Sequence, residues 1–136
     1  MMKKSIARHI ELGRLGEDAA LALLRSKQMT LLYRNYKTES GEADLVMRDG
    51  IVLVFVEVKT LYRSGRFSPR ANLKIAQIRR NYRAAYRYLR SLGHPEVPCR
   101  FDLIEVIRNK KRVSFIRHHE GYLADVLSEK GGRPWL

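Results

Sequence analysis

The sequence predicts one α/β domain, a mixed sheet with a helix packed on each side, in the order αβββαββ. Three observations carry that expectation. The stretch "IVLVFVEVKT", 51–60, is apolar on both faces before Glu57, as a central strand is. Two segments have helical periodicity, 9–28 and 73–92, and the second is the clearest helix in the chain. The passage from 60 to 100 is long enough for a crossover between parallel strands. With 136 residues and 45% hydrophobic composition, the chain is expected to form a single domain, core 9–119 with a tail at 120–136.

Each element has its own warrant. In "HIELGRLGEDAALALLRSKQ", Ile10, Leu12, Leu15, Ala19, Leu23 and Leu24 lie mostly near helical spacing. Gly13 and Gly16 lower helix propensity there and suggest a close approach to another backbone. "TLLYRNYK", 30–37, and "EADLVMR", 42–48, read as strands. Asp49-Gly50 is a two-residue hairpin signal between 42–48 and 51–60. The segment 61–71 contains Gly65 and Pro69 and reads as a loop. In 73–92, Ile75, Ile78, Tyr82, Ala85, Leu89 and Leu92 form one stripe, and Gly93 and Pro95 end the helix. "RFDLIEVIR", 100–108, and "RVSFIRHH", 112–119, are the last strands; 122–129 could make a short helix.

Charge bounds the function. Lys and Arg number 27 against 14 Asp and Glu, a net charge of +13, which favours a polyanionic partner. Between Leu61 and Leu92 there are nine basic residues and no acid: Arg63, Arg66, Arg70, Lys74, Arg79, Arg80, Arg83, Arg87 and Arg90. On the helix, Arg79, Arg80, Arg83, Arg87 and Arg90 share a side. A solvated helix face normally mixes signs for i,i+4 pairing, and a phosphate backbone would relieve this repulsion. The N-terminus has no apolar run of a secretory signal, and no stretch approaches a membrane span. The lone Cys99 cannot form an internal disulfide, so a cytoplasmic location is expected.

The charges of "SGEADLVMRDGIVLVFVEVKT" alternate along two strands. If Asp49-Gly50 closes the hairpin, Arg48 pairs with Ile51, Asp44 with Phe55 and Glu42 with Glu57. Glu42, Asp44, Glu57 and Lys59 then share one face. Converging carboxylates repel unless protonated or neutralised, and Mg²⁺, which takes one or two carboxylates and keeps waters, suits them. The alternative is a plain polar hairpin face turned to solvent.

"GEADLV", twelve residues between Asp44 and Glu57, and then "EVK" resemble the PD-(D/E)xK nuclease pattern. More closely, "GRLGEDAA", "YRNYKTESGEADLV", "VFVEVKT" and "RFDLIEV", in this order, resemble the YraN family over residues 11–119. That family is similar to archaeal Holliday-junction resolvases and has a restriction-endonuclease-like fold. The resemblance implies a metal-dependent endonuclease hydrolysing DNA phosphodiesters at branched DNA, with Mg²⁺ or Mn²⁺ and a homodimer for symmetric cuts. It implies Asp44 and Glu57 as metal ligands and Lys59 as the group that orients water or steadies phosphate charge. Glu17 matches an additional metal-binding acid, and Glu42 a third carboxylate or a rim charge. Gln77 stands where the family commonly has Lys, with Lys74 one turn earlier. A non-catalytic nucleic-acid-binding module of the same fold is the competing expectation.

The remaining chemistry-bearing residues read as structural. His118 and His119, adjacent on a strand, point to opposite faces and are read as surface; His9 and His94 have no recognisable partner. Cys99 is expected to be buried and Tyr82 in the core; Tyr86 and Tyr88 flank the stripe, where they could stack on bases, and are read as core edge.

Overall fold

Strands and helices follow from where the chain can hide apolar side chains. In this computed structural model, residues 2–63, 69–110 and 112–122 are described, residues 2–12 by backbone alone. Arg66, the His9 side chain and the tail beyond Tyr122, on which expectations fell, lie outside the described residues.

The elements are α1 (Met2–Ser26), β1 (Thr30–Lys37), β2 (Glu42–Asp49), β3 (Val52–Tyr62), α2 (Ile75–Ser91), β4 (Cys99–Arg108) and β5 (Val113–His119). They build one five-stranded sheet in the order β1-β2-β3-β4-β5. β3 and β4 are parallel and the other neighbours antiparallel, the mixed sheet expected. Ala20, Leu21 and Leu24 of α1 pack on Leu45, Met47, Val54, Val56, Ile104 and Val106 on one face. Ala84 and Ala85 of α2 pack on Val46, Leu53 and Phe55 on the other. Both helices end in a Schellman arrangement. The Met29 N–H reaches Leu24 O (3.1 Å) past Gln28 at φ 70°, and the His94 N–H reaches Leu89 O (2.9 Å) past Gly93 at φ 80°.

Two close approaches fix how the helices seat. A Cβ at Gly16 would lie 2.0 Å from Thr60 Oγ1, so α1 crosses directly over β3. A Cβ at Gly13 would meet nothing within 4 Å among the described residues, so the expected close approach is found at Gly16. A Cβ at Gly41 would lie 2.2 Å from Arg80 O and 2.7 Å from Ala84 N, which brings the start of β2 against the α2 backbone.

The hairpin turn differs from expectation by one position. Asp49 pairs with Val52, so the turn residues are Gly50 and Ile51, not Asp49 and Gly50. Gly50 has φ 62° and Ile51 does not share a positive φ, as in a type II′ turn, where Gly takes the first central position. An Asp49-Gly50 type I′ turn would force Asp49 into the left-handed region as well. The expected pairs Arg48–Ile51, Asp44–Phe55 and Glu42–Glu57 are therefore replaced: Arg48 faces Leu53 and Phe55 faces Val46. A two-residue offset keeps every side chain on its face, whereas a one-residue slip would invert them.

Candidate active site and basic face

The ladder between β2 and β3 runs from Asp49–Val52 to Leu45–Val56. Carried one step further, the same count sets Asp44 opposite Glu57. There the Asp44 carboxylate itself accepts the Val58 N–H at 2.7 Å. The Asp44 and Glu57 carboxyl groups act on each other electrostatically. Burial, then the charge of Glu57, pushes the Asp44 pKa up to about 8. Burial also raises that of Glu57, against the pull of Lys59.

Glu57 is held from three sides. Lys59 Nζ lies 3.2 Å from Oε1, and Gln77 Nε2 donates to the same oxygen at 3.2 Å. The amide of Asn81 is satisfied when its nitrogen donates to Glu57 Oε2 (3.3 Å) and Glu42 O (3.0 Å) and its oxygen accepts from the Tyr122 hydroxyl (3.2 Å). Burial raises the Tyr122 pKa to about 12, which keeps that hydroxyl a donor. Gln77 and Asn81 are one helical turn apart on the buried side of α2. In the sequence Gln77 stands out only as a departure from the family pattern, and Asn81 and Tyr122 carry no assigned role. The available signal is a pair of amides spaced i,i+4 beside the apolar stripe.

Glu42 and Glu17 sit at the margins. Glu42 pairs with Arg80 at 3.3 Å, so the basic helix, which has no acid of its own, borrows one from β2. Glu17 on α1 faces Arg34 at 3.5 Å, while Arg34 also binds Asp18 at 2.6 Å. Its charge contributes to the rise of the Asp44 pKa. Among the described residues, no three His, Cys, Asp or Glu side chains converge to hold a metal ion. The donor set that does come together is the hard oxygens of Asp44 and Glu57. With Glu57 buried, Asp44 half-buried and no arginine paired with either among the described residues, the two suit a divalent cation with several waters.

The basic segment opens beside this pair. Lys59, Asn72, Leu73, Lys74, Gln77 and Arg80 line a cleft of about 280 Å³. Arg70, Lys74, Arg80, Arg83, Arg87 and Arg90 are exposed, and Arg79 is half-buried, its Nε without a hydrogen-bond partner among the described residues. The backbone N–H of Arg63 donates to Arg108 O (2.9 Å). The loop before α2 is pinned by Glu105, which accepts the Ala71 N–H at 2.6 Å and Arg117 Nε at 3.0 Å; Arg117 also donates to Pro69 O.

Three structural expectations change. His118 is not surface: its side chain is 4% exposed, with Nε2 2.8 Å from Asp102 and Nδ1 2.6 Å from Lys27. His119 binds Glu105 at 2.5 Å. The two do point to opposite faces, because Ile104 and Leu103, their partners on β4, do so. Cys99 is exposed, since it opens β4 directly after the exposed 91–98 segment. Tyr82 stacks on Phe101 (4.7 Å) and Tyr88 packs on Phe55 (5.9 Å), as core and core edge. Tyr86, also expected at the core edge, is 58% exposed and lies beside His94.

Residues 16–106 match the sequence profile of "Uncharacterised protein family UPF0102". A UPF0102 protein of Symbiobacterium thermophilum is 46% identical over 96 residues, covering 69% of this chain and 80% of its own length. One from Desulforapulum autotrophicum is 38% identical over 109 residues, 79% and 90% of the two chains. One from Lawsonia intracellularis is 36% identical over 129 residues, 92% and 97%. No helix among the described residues is long and apolar enough to cross a membrane.

Proposed function

The chain belongs to UPF0102, the YraN family, and from that premise we propose that it is a metal-dependent endonuclease hydrolysing DNA phosphodiesters, with branched DNA as the substrate class. One observation carries the reading: two carboxyl groups, the buried Glu57 and the half-buried Asp44, meet on adjacent antiparallel strands with Lys59 3.2 Å from Glu57 and, among the described residues, no arginine paired with either. Structural ion pairs rarely bury two acids against one lysine, because desolvation and mutual repulsion both oppose it.

Asp44 and Glu57 would hold Mg²⁺ or Mn²⁺. The ion's chemistry, when bound, is to polarise the phosphate and lower the pKa of a water. Gln77 and Asn81 fix the Glu57 carboxylate so that its oxygens keep one orientation. Lys59 offers a cation at the mouth of the cleft, where charge grows on the scissile phosphate. Glu42 holds Arg80 at the rim, in place to meet the next phosphate. Glu17 would have to exchange Arg34 for the ion to serve as a third ligand.

A cleavage panel of branched, duplex and single-stranded DNA, with Mg²⁺, Mn²⁺ or chelator, tests the proposal. Wild type is expected to cut with metal only. Asp44→Asn is expected to lose cleavage and metal binding while keeping DNA affinity, because an amide cannot supply the anionic ligand. Lys59→Ala is expected to lose about 10²–10³-fold in rate while retaining much of its metal affinity. Tight DNA binding without any cleavage would assign the fold to the non-catalytic binding module instead.

A further inference from the structure

Two cavities follow one another along α2, on the turns beyond the cleft. Ser40, Tyr82, Arg83, Tyr86 and Arg87 line one of about 460 Å³. Tyr36, Thr38, Glu39, Arg87, Arg90 and Ser91 line the next, of about 630 Å³. Arg87 belongs to both and divides one groove into two compartments. Each compartment combines a tyrosine wall with an arginine rim; Glu39 is the single acid.

The walls are fixed in advance. Tyr33, Tyr36, Tyr88, Phe55, Phe101 and Tyr82 form an unbroken chain of ring contacts, with centroids 4.7–5.9 Å apart, running from β1 beneath α2. Opposite, the Thr38 hydroxyl accepts the N–H groups of Ser40 (3.3 Å) and Gly41 (3.0 Å), closing the 38–41 turn against α2. Tyr86 alone among the groove's tyrosines stands mostly in solvent, 58% exposed. His94, in the left-handed region at φ 53°, sets its ring 5.6 Å from that of Tyr86. A large exposed ring braced by a second ring, next to arginines 3–4 residues apart, has the chemistry of a base-stacking platform beside phosphate contacts.

We propose that the groove between α2 and the 38–41 turn binds single-stranded nucleic acid, with a base stacked on Tyr86 and phosphates held by Arg83, Arg87 and Arg90. The inference rests on the nucleic-acid reading above and narrows it: the preferred substrate carries an unpaired strand next to the cleavage site. Gln77, which touches Glu57, and Arg87 are ten residues apart, so the strand would run about 15 Å along α2 from the carboxyl pair. Duplex DNA keeps its bases stacked inside and cannot offer one to Tyr86.

Fluorescence anisotropy in chelator tests this, with a labelled oligothymidylate and a blunt hairpin duplex at one fixed salt concentration. Wild type is expected to prefer the single strand. Tyr86→Ala is expected to weaken oligothymidylate binding about 5- to 150-fold, the equivalent of one stacked base at ~1–3 kcal/mol, and leave duplex binding within about twofold. Tyr86→Phe, which keeps the ring, is expected to bind like wild type; melting temperatures check folding of both. Unchanged oligothymidylate affinity in Tyr86→Ala, or equal losses on both probes, would overturn the groove. The two readings fail separately. Binding through Tyr86 in a protein that cuts nothing keeps the groove and removes the nuclease, whereas metal-dependent cutting by a protein indifferent to Tyr86→Ala does the reverse.

Discussion

Asp102 has a fully buried side chain and four donors around it. Arg100 donates from Nε (2.9 Å) and Nη2 (3.0 Å), the Gly121 N–H donates at 3.0 Å, and His118 Nε2 lies at 2.8 Å. Burial pushes its pKa up, but the hydrogen bonds from His118, Arg100 and Gly121 outweigh that and hold it below the usual carboxylate range. A depressed pKa adds stability that is present above the unfolded value and lost as pH falls through the folded one, a window below about pH 4. Urea titrations at a series of pH values are expected to show Asp102→Asn less stable than wild type by about 1.5–3 kcal/mol at neutral pH. That difference should shrink as acid protonates the wild-type group. An unchanged gap at low pH would show that shape, not charge, makes the difference. Asp102 stands in the sequence inside an apolar strand with only Arg100, two residues earlier, as a visible partner. Its histidine is on β5, and only the β4–β5 register brings the two together. The carboxyl pair was legible because both acids flank one short turn.

At the scale of elements, α2 does two jobs that its sequence displays unequally. Its arginine side is plain in the spacing, whereas the amides that steady Glu57 are hidden among buried positions. The seating of α2 depends on Gly41. Gly41→Ala would push a methyl into the helix backbone, and overpacking of this kind costs about 1–3 kcal/mol. The variant is expected to lose more cleavage than its drop in melting temperature explains, because Gln77, Asn81 and Arg80 shift with the helix. Proportionate losses would confine Gly41 to a packing role. The elements themselves followed from periodicity, with β1 placed at 30–37 as found. The hairpin register did not. It depended on which side of Gly50 the turn falls, and Asp-Gly and Gly-Ile are both permitted turn pairs.

Across the described residues, the charge segregates: α2 and residues 70–74 carry exposed cations, while Glu42, Asp44, Glu57 and Glu105 lie beneath them on β2, β3 and β4. That arrangement rests on the parallel join in the middle of the sheet, where Leu53 lies beside Cys99, 46 residues away in the chain (99 − 53). β1, β2 and β3 can pair through short turns, but β4 must wait for the entire intervening segment to fold back. Topologies with such distant pairing gather slowly, since chain entropy is lost before contacts repay it. The local meander is therefore the natural start of folding, with β4 and β5 added late. In stopped-flow chevrons, Met47→Ala in β2 is expected to slow refolding, while Ile116→Ala in β5 mainly speeds unfolding. The opposite assignment would mean that the join of β3 to β4 forms first. On the expected order, a newly made chain leaves the edge of its central strand bare until the crossover closes, and its hazard is association with other chains during that interval.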